Sequence, residues 1–435
     1  MDIVTNIRNA GVVGAGGAGF PTHVKMSGKA EWVIANGAEC EPLLRVDQQL
    51  MTVFADELIA GLIFAMEAVG ASKGVIALKD HYKDAIDVLR RQIENVPGIS
   101  LYIMLSYYPA GDEQQIVYEV TGSVVPTGGI PLDVGVVISN VNTLINIARA
   151  QHSVPVTEKY VTVGGAVKTP VTVNAPIGIS LRELIEHAGG VTEECGYIIG
   201  GPCMGRVEWG LDHPVTKTTG GILAIPKDHP LFHLKSPEMN LQMVKAVCCQ
   251  CTMCSQMCPR NSLGLNVQPH KAMRSLAQGT DLMGDFGGVF SCCDCGICTY
   301  YACNFGLKPS TVMSALKQQL SEGGSRPEKK PPLPVDSALD TKRLPTYRLI
   351  ARLGLSDYDV PAPIDGHFLD TDQVTIPLKM HIGAPSVPIV RKGQRVKKEE
   401  LIADIPEGSL GAKIHASISG VISDITDTGI HITKE

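Results

Sequence analysis

Eight of the thirteen cysteines fall into two closely spaced groups. The first group reads C-x2-C-x2-C-x3-C and is followed by Pro259, whereas the second reads C-x2-C-x2-C-x4-C. The eight positions are Cys248, Cys251, Cys254, Cys258, Cys292, Cys295, Cys298 and Cys303. Disulfides between such close neighbours would be badly strained. The spacing is instead typical of proteins that hold two [4Fe–4S] clusters, so we predict one-electron transfer chemistry.

In two-cluster ferredoxins each three-cysteine arc wraps one cluster and the fourth cysteine ligates the other. We therefore assign the first cluster to Cys248, Cys251, Cys254 and Cys303. The second cluster is assigned to Cys292, Cys295, Cys298 and Cys258. Two zinc knuckles are the alternative, but consecutive x2 spacings suit tetrahedral zinc poorly and Pro259 fits a ferredoxin. Cys249 and Cys293 are predicted to be packed bystanders, with a change of ligand to either of them as the alternative.

A glycine-rich segment near the N-terminus is the second candidate for chemistry. It contains G-x-G-x-x-G at Gly14, Gly16 and Gly19. Backbone without Cβ atoms lets N–H groups approach a phosphate, and Lys25 adds a positive charge. A dinucleotide fingerprint should follow a strand, but the residues before this segment are largely polar. We therefore favour a different kind of phosphate-binding loop, with a turn that binds no ligand as the alternative.

Composition limits the classes of function. The formal charge of −6 over 435 residues gives no reason to expect a nucleic-acid partner. Thirteen cysteines, mostly in cluster spacing, indicate a reducing compartment, and Cys40, Cys195 and Cys203 are expected to be buried thiols. The N-terminus lacks the pattern of a signal peptide, and no apolar run is long enough to predict a transmembrane helix.

The order of predicted elements indicates a multidomain α/β and α+β protein. Residues 1–150 alternate strands and helices, with strands at 32–37, 74–79 and 134–139 and helices at 57–69 and 84–93. Residues 157–235 follow a β-grasp order, with a capping box of Ser180 and Glu183 before a helix at 181–188. Residues 236–322 carry the cysteines on short helices, and 323–370 is predicted to be a linker. Residues 371–435 are expected to form a small all-β barrel or sandwich, with strands at 374–378, 388–390, 401–404, 413–416 and 420–425.

Several segments resemble the flavin-carrying, NADH-oxidising subunit of respiratory complex I. GAGGAGFPTHVK (14–25) is similar to the GRGGAGFPTGLK segment of that family. Residues 36–42 resemble its NADExEP segment, and 139–144 resemble its NNVETL segment. Residues 108–129 and 380–385 are closer to the RnfC and PduS branch, and the barrel-sandwich domain follows the clusters, as in PduS. The chain is therefore identified as a member of the PduS-like cobalamin reductases.

This resemblance implies a Rossmann-like FMN-binding domain that NADH reduces, an SLBB-type β-grasp domain, a two-[4Fe–4S] domain and a C-terminal barrel-sandwich hybrid. Glu39 and Glu41 are implied to be the catalytic residues that face the flavin and nicotinamide rings. The implied cofactor-binding residues are Gly14, Gly16, Gly17, Gly19, Phe20, Lys25, Asn36, Gly111, Asp112, Glu113, Asn140 and Thr143. Ala15 and Ala38 replace an Arg and an Asp of the family, so NADH is less firmly implied than FMN.

The implied activity is reduction of cobalamin towards cob(I)alamin, which would reactivate a B12-dependent diol dehydratase pathway. The implied partners are an adenosyltransferase and a shell protein, within a cytoplasmic bacterial microcompartment. The first alternative is an RnfC-like relay subunit of a multisubunit complex, and the second is a scaffold with structural clusters. The C-terminal domain resembles lipoyl carriers, but the turn at 407–411 has no Lys and Lys413 is displaced, so we expect a structural or docking role.

Overall fold

In the computed structural model, the structure describes residues 2–278 and 287–435. The N-terminal domain is built on a four-stranded parallel sheet in the order β3-β2-β1-β5. The strands of this sheet are β1 (Trp32–Gly37), β2 (Lys73–Lys79), β3 (Ile99–Met104) and β5 (Val136–Asn140). The domain also contains the short strand β4 (Tyr107–Tyr108), which lies outside this sheet. Its helices are α1 (Ile3–Asn9), α2 (Thr22–Lys25), α3 (Val46–Val53), α4 (Ala55–Val69), α5 (Lys83–Ile93), α6 (Glu113–Thr121) and α7 (Val141–Gln151).

The central strands β1 and β2 are buried along most of their length, as expected for a parallel sheet with helices on both faces. On one face α4 packs closely on α7. Glycine at position 61 permits this contact, since a Cβ there would lie 1.9 Å from the carbonyl oxygen of Leu144. Strands β2 and β3 lie on one side of β1, and β5, which follows them in the sequence, lies on the other side. Ligands of open α/β sheets bind at the carboxyl ends of the strands where the order reverses, here β1 and β5.

The second domain is a β-grasp fold. Its elements are β6 (Glu158–Gly165), β7 (Val171–Pro176), α8 (Leu181–His187), β8 (Cys195–Ile199), β9 (Arg206–Glu208) and β10 (Gly221–Pro226). The predicted capping box is present, since the Ser180 hydroxyl accepts a hydrogen bond from the Glu183 N–H and the Glu183 carboxylate accepts one from the Ser180 N–H. The buried β10 was not among the predicted strands, although its sequence GILAIP is a short apolar run.

Short helices form the cysteine-rich domain. They are α9 (Pro230–Lys235), α10 (Leu241–Val247), α11 (Met253–Gln256), α12 (Pro259–Ser262), α13 (Pro269–Gln278), α14 (Gly287–Phe290) and α15 (Pro309–Glu322), with a π-helical turn at Cys298–Ala302. Its core includes Leu263, Leu265, Val267 and Met313. Residues 279–286 of the predicted domain lie outside the described residues.

The predicted linker contains more structure than its composition suggested. It holds α16 (Leu339–Lys342), β11 (Leu344–Pro345), α17 (Thr346–Arg352) and β12 (Ile364–Phe368). β11 pairs with β4 of the first domain, and β12 pairs in parallel with β7 of the second. The apolar side chains of Leu349 and Ile350 are buried beside Tyr108 and Tyr300, which explains why this part of the segment folds onto its neighbours.

The C-terminal domain consists of two small antiparallel sheets, in the orders β13-β19-β18-β15 and β14-β16-β17. The strands are β13 (Gln373–Pro377), β14 (Val387–Pro388), β15 (Arg395–Val396), β16 (Leu401–Asp404), β17 (Ile414–His415), β18 (Gly420–Ile425) and β19 (Gly429–Thr433). The predicted fold class is confirmed, and the sheets do not close into a barrel within the described chain. None of the helices described is both long and apolar enough to cross a membrane.

Candidate functional site

A cavity of about 710 Å³ lies at the carboxyl ends of β1 and β5, where three domains meet. All fourteen residues that the sequence predicted for the cofactor and for catalysis line it, namely Gly14, Gly16, Gly17, Gly19, Phe20, Lys25, Asn36, Glu39, Glu41, Gly111, Asp112, Glu113, Asn140 and Thr143. The β-grasp domain adds a wall at residues 199–201, 204–205, 218 and 220. The structure thus brings the separate sequence segments together, while the role of each residue stays a prediction.

The glycine-rich segment forms a loop between α1 and α2, before the first strand of the sheet. It is closed by a bridge between Val13 and Pro21, so it lacks the strand–loop–helix context of a dinucleotide fingerprint. Its tip at Gly16, Gly17 and Ala18 is exposed. Within the described ranges, the backbone N–H groups of these three residues donate no hydrogen bond. Backbone N–H groups presented in this way suit an anion such as a phosphate.

Side chains and backbone from three domains hold this loop from behind. The Ala15 N–H donates to Thr143 Oγ1 at 2.9 Å, and Lys159 Nζ donates to the Ala15 carbonyl at 3.0 Å. The N–H of Ile382, in the C-terminal domain, donates to the Gly19 carbonyl at 3.2 Å. Burial lowers the pKa of Lys159 to about 8. The loop is therefore positioned by fixed contacts before any ligand arrives.

A second buried lysine joins the same three domains. Lys217 Nζ donates to the carbonyl of Gly11 at 2.6 Å and to that of Lys413 at 2.8 Å. Gly11 has a φ of +65°, and a Cβ there would lie 2.2 Å from the Lys413 carbonyl oxygen. Burial lowers the pKa of Lys217 to about 7. Lys413, which lies beside the turn at 407–411, thus contributes its backbone carbonyl to a contact between domains.

Lys25, Asn36 and Gly111 form the opposite wall. Lys25 Nζ donates to Glu113 Oε1 at 3.1 Å and to the Ile138 carbonyl at 2.5 Å. Asn36 Nδ2 donates to the Gly111 carbonyl at 2.9 Å. A Cβ at Gly111 would lie 2.8 Å from the sulfur of Cys40, so this position requires a glycine. Burial raises the pKa of the Cys40 thiol to about 12, which keeps the thiol protonated.

Glu39 is bound to the start of α3. Its carboxylate accepts hydrogen bonds of 3.2 Å from the N–H groups of Val46 and Asp47. Burial and the neighbouring Asp47 carboxylate raise the pKa of Glu39 to about 8. Burial raises the pKa of Asp47 to about 6, although Asn140 Nδ2 donates to it at 2.7 Å. Burial and mutual repulsion therefore disfavour ionisation of both carboxyl groups together, so the cavity is less acidic than its residue types suggest.

Glu41 ties the first domain to the β-grasp domain. Its two carboxylate oxygens accept hydrogen bonds from the N–H groups of Cys203 at 2.9 Å and Met204 at 2.8 Å. A Cβ at Gly201 would lie 2.1 Å from Glu41 Oε2, so the loop of the second domain is closely fitted around this carboxylate. Burial raises the pKa of Glu41. Its catalytic role stays a prediction, whereas its contact between the domains is observed.

The two cysteine motifs have the same backbone pattern. In the first motif the residues two and four places after Cys248, Gln250 and Thr252, have φ angles of +56° and +62°. In the second motif the residues at the same distances from Cys292, Asp294 and Gly296, have φ angles of +56° and +75°. The left-handed residues bend each loop at corresponding points. The motifs are thus a structural repeat as well as a sequence repeat.

The two cysteine motifs lie close to each other, and the ligand assignment stays a prediction. The electrostatic neighbours of Cys254 include Cys303, Cys248 and Cys251, which belong to its predicted set. Those of Cys298 are Cys292 and Cys258 of its own predicted set and also Cys254 of the other. No three His, Cys, Asp or Glu side chains in the described ranges suit a single metal ion. A cubane binds its four thiolates on four separate irons, so a [4Fe–4S] cluster does not require three side chains around one ion.

The two sets differ in position. Cys248, Cys251, Cys254 and Cys303 line a surface pocket of about 50 Å³, in which Cys251 is exposed. By contrast Cys258, Cys295 and Cys298 are buried. Cys293 and Cys295 also line the 710 Å³ cavity, so the second motif adjoins the space surrounded by the predicted flavin residues. Cys293, which was predicted to be a bystander, is therefore part of the cavity wall.

Three charged residues of the cavity wall were missed in the sequence. They are Asp47, Lys159 and Arg260. Arg260 follows the Cys-Pro step of the first motif, and this adjacency is the only signal in the sequence that could have drawn attention to it. Lys159 directly precedes the strand segment Tyr160-Val-Thr-Val that the sequence predicted, so its position beside a buried strand was a weak signal. Asp47 has no comparable signal, because it is one acidic residue among many in helical segments.

Comparison with protein families gives four domain matches in the same order as the structural domains. Residues 7–149 match the Nuo51 FMN-binding domain, and residues 160–207 match the SLBB domain. Residues 247–308 match the 4Fe-4S dicluster domain, and residues 362–435 match the RnfC barrel sandwich hybrid domain. The chain thus has an FMN-binding domain and a domain for two [4Fe–4S] clusters.

Curated relatives cover the whole chain. "Cobalamin reductase PduS" of Citrobacter freundii is 43% identical, over 98% of this chain and 95% of its own length. The protein of that name from Salmonella typhimurium is 43% identical over 100% of this chain and 96% of its own length. A component of the "Na(+)-translocating ferredoxin:NAD(+) oxidoreductase complex" of Acetobacterium woodii is 39% identical over 60% of this chain and 58% of its own length.

Proposed function

Because this chain belongs to the family of cobalamin reductase PduS, and is therefore an FMN and iron–sulfur electron-transfer reductase, we propose that it uses NADH to reduce cobalamin. The proposed direction is towards cob(I)alamin. The observation that supports this best is the shared cavity. Its wall contains the predicted flavin residues, Cys295 of the second motif and the neighbouring Cys293, so a flavin and a cluster would be neighbours.

The fit to FMN rests on the donors around the cavity. The free N–H groups at Gly16, Gly17 and Ala18 would bind the phosphate, with Lys25 and Lys159 supplying positive charge. Asn36 and Gly111 are fixed to each other and would border the ring system. FMN, when bound, accepts two electrons from a hydride donor and passes them on singly. The raised pKa of Glu39 would limit charge repulsion towards anionic ligands.

The partners and the location rest on the family relationship. We infer NADH as the donor, although the substitutions at Ala15 and Ala38 remove two polar side chains of the family motif. We also infer an adenosyltransferase that receives the product and residence in a cytoplasmic microcompartment beside a shell protein. Co-purification from cells that assemble such compartments would test both inferences, and recovery only outside the compartments would contradict the location.

The test of the function is an anaerobic titration of the reconstituted protein with NADH. Bleaching of the flavin absorbance, then a reduced [4Fe–4S] signal in EPR, then NADH-dependent reduction of added cob(II)alamin would support the proposal. A flavin that stays oxidised with NADH but not with dithionite would remove NADH as the donor. Reduction of cobalamin only after partner subunits are added would favour the relay alternative. Redox-silent clusters in a flavin-free protein would favour the scaffold alternative.

A matched pair of variants tests the glycine loop. A Cβ at Gly17 meets no protein atom within 4 Å, and the same holds for Gly210, which lies outside the cavity wall. Gly17→Ala should therefore leave folding intact but weaken FMN binding about tenfold, because the added methyl stands where the phosphate would lie. Gly210→Ala should leave FMN binding unchanged. Equal affinity in both variants, measured by quenching of flavin fluorescence, would exclude this loop as the phosphate site.

A further inference from the structure

Arg260 occupies the junction between the two cysteine motifs and the cavity. It belongs to α12, two residues after Cys258, and its side chain is 13% exposed. It also lines the 710 Å³ cavity together with Cys293 and Cys295. A buried guanidinium keeps its charge at any physiological pH. A fixed positive charge therefore lies between the predicted flavin site and the predicted second cluster.

The guanidinium is held by groups from two domains. Its Nε and Nη2 donate to the two carboxylate oxygens of Asp112 at 2.8 Å and 2.5 Å. Its Nη1 donates to the carbonyl of Ser291, the residue before Cys292, at 3.2 Å. The Asp112 side chain is only 7% exposed. Paired hydrogen bonds of this kind fix the plane of the guanidinium, so its distance to both redox sites is set.

The electrostatic effect of this pair has a definite sign. Reduction adds a negative charge to a cluster, and net charge near a cluster is one of the determinants of its potential. A nearby cation stabilises the reduced form, whereas a nearby carboxylate destabilises it, and both effects are strong where water is excluded. Arg260 lies on the side of Cys258 and Ser291, and Asp112 lies on the side of the first domain. The two charges therefore act in opposite directions.

We propose that Arg260 is a positioning residue that docks the second cysteine motif against the flavin cavity and raises the reduction potential of the second cluster, and that Asp112 limits this increase. This inference rests on the proposed flavin-to-cluster path and adds the residues that control its driving force. Asp112, predicted to complete the FMN pocket, thereby acquires a second role as the counter-charge of Arg260.

Four variants test the proposal, with EPR-monitored titrations in dithionite and mediators as the readout. Arg260→Gln should lower the potential of the second cluster by about 59 mV, a tenfold change for one electron. Asp112→Asn should raise it, and the double variant should return close to the wild type. Arg260→Lys keeps the charge but not the paired hydrogen bonds, so it should shift the potential least of the single variants. The first cluster serves as the internal control and should not move.

The outcomes separate this proposal from a purely structural role and from the proposed function. If Arg260 only braces the domains, Asp112→Asn and Arg260→Gln should both loosen the site and move the potential in the same direction, or not at all, which would overturn the proposal. If Arg260→Gln does not fold, Asp112→Asn still decides the sign, because a potential that falls or stays unchanged in that variant would overturn the proposal. Dithionite supplies the electrons, so the measurement stands even if NADH or cobalamin proves to be the wrong substrate.

Discussion

The two cysteine motifs share a loop conformation but have different surroundings. Both loops place left-handed residues two and four positions after the first cysteine. In the first motif Cys251 is exposed, as is the neighbouring Cys249. In the second motif Cys295 and Cys298 are buried, and Cys295 adjoins the large cavity. Loops of the same backbone conformation would therefore serve different positions in the proposed path. In that proposal the buried motif receives electrons from the flavin site, and the exposed motif releases them.

The largest expected effect comes from a cysteine of the buried motif. Cys298→Ala should remove one cluster, halve the iron content and lower NADH-driven reduction of cobalamin more than about 100-fold, a barrier increase of roughly 2.7 kcal/mol. Flavin reduction should persist. Iron analysis, EPR and the reductase assay check these outcomes. Cys203→Ala is the matched control, because it removes a buried thiol outside the motifs and should keep all the iron. Full activity in Cys298→Ala would contradict the order of the path.

The corresponding change in the exposed motif should lower the rate of cobalamin reduction less. Cys251→Ala should remove the first cluster and slow reduction of cobalamin about tenfold or more, the equivalent of at least roughly 1.4 kcal/mol in the barrier. The flavin and the second cluster should still be reduced by NADH, which EPR would show. Cys249→Ala, at the exposed neighbour, is the control and should keep both clusters. Loss of both cluster signals in Cys251→Ala would show that the two sites do not assemble independently.

Oxidative loss of iron should follow the same difference. In the reconstituted protein exposed to air, the first cluster should be lost about tenfold faster than the second. That factor corresponds to a difference of roughly 1.4 kcal/mol in the free energy of local opening. Samples taken over time, reduced and examined by EPR, would resolve the two signals. Loss of both signals at one rate would mean that a single opening event exposes both motifs, and the comparison would then fail.

Hydrogen bonds to the two loops offer a finer test. Tyr108, which is 1% exposed, donates from its hydroxyl to the Cys295 carbonyl at 2.7 Å. Tyr108→Phe leaves that buried carbonyl without its donor and should lower the free energy of unfolding by about 1–3 kcal/mol. Gln250 Nε2 lies 3.2 Å from Cys248 Sγ in the exposed loop, so Gln250→Ala should cost less than about 0.5 kcal/mol. Anaerobic denaturant titrations measure both, and equal losses would contradict the difference in burial.

The sequence predicted this architecture well where one segment carries its own signal. The strand at 32–37 and those at 401–404 and 420–425 appear with the predicted limits, because short apolar or alternating runs bounded by turn residues are local features. The same holds for the capping box at Ser180. The strand Gly429–Thr433 was missed although GIHIT alternates clearly. Strand Ile364–Phe368 was missed for a different reason, since its polar sequence gains its pairing from a distant strand.

The site was predictable as a set of segments but not as a set of contacts. The predicted residues of four separate segments surround one cavity because β1 and β5 end side by side. Arg260 and Lys159 reach that cavity from other domains, and only tertiary packing brings them there. Nor did the residue type of Glu41 reveal that two N–H groups of the β-grasp domain would bind its carboxylate. Pairings across domains depend on the docked fold, which no local pattern encodes.

An effect smaller than that of Tyr108→Phe is expected on the outer side of the second motif. Lys317 Nζ donates to the Cys292 carbonyl at 2.8 Å and to Asp294 Oδ2 at 2.9 Å, and the side chains of Lys317 and Asp294 are 32% and 42% exposed. Because solvent screens such a pair, Lys317→Met should lower the free energy of unfolding by at most about 1 kcal/mol, and less in high salt. Lys392→Met, which breaks the more exposed pair with Asp424, is the control and should change almost nothing.

A loss above about 2 kcal/mol in anaerobic denaturation of Lys317→Met would mean that the second motif depends on its surface contacts as much as on its buried ones. Burial would then no longer explain why the two motifs differ.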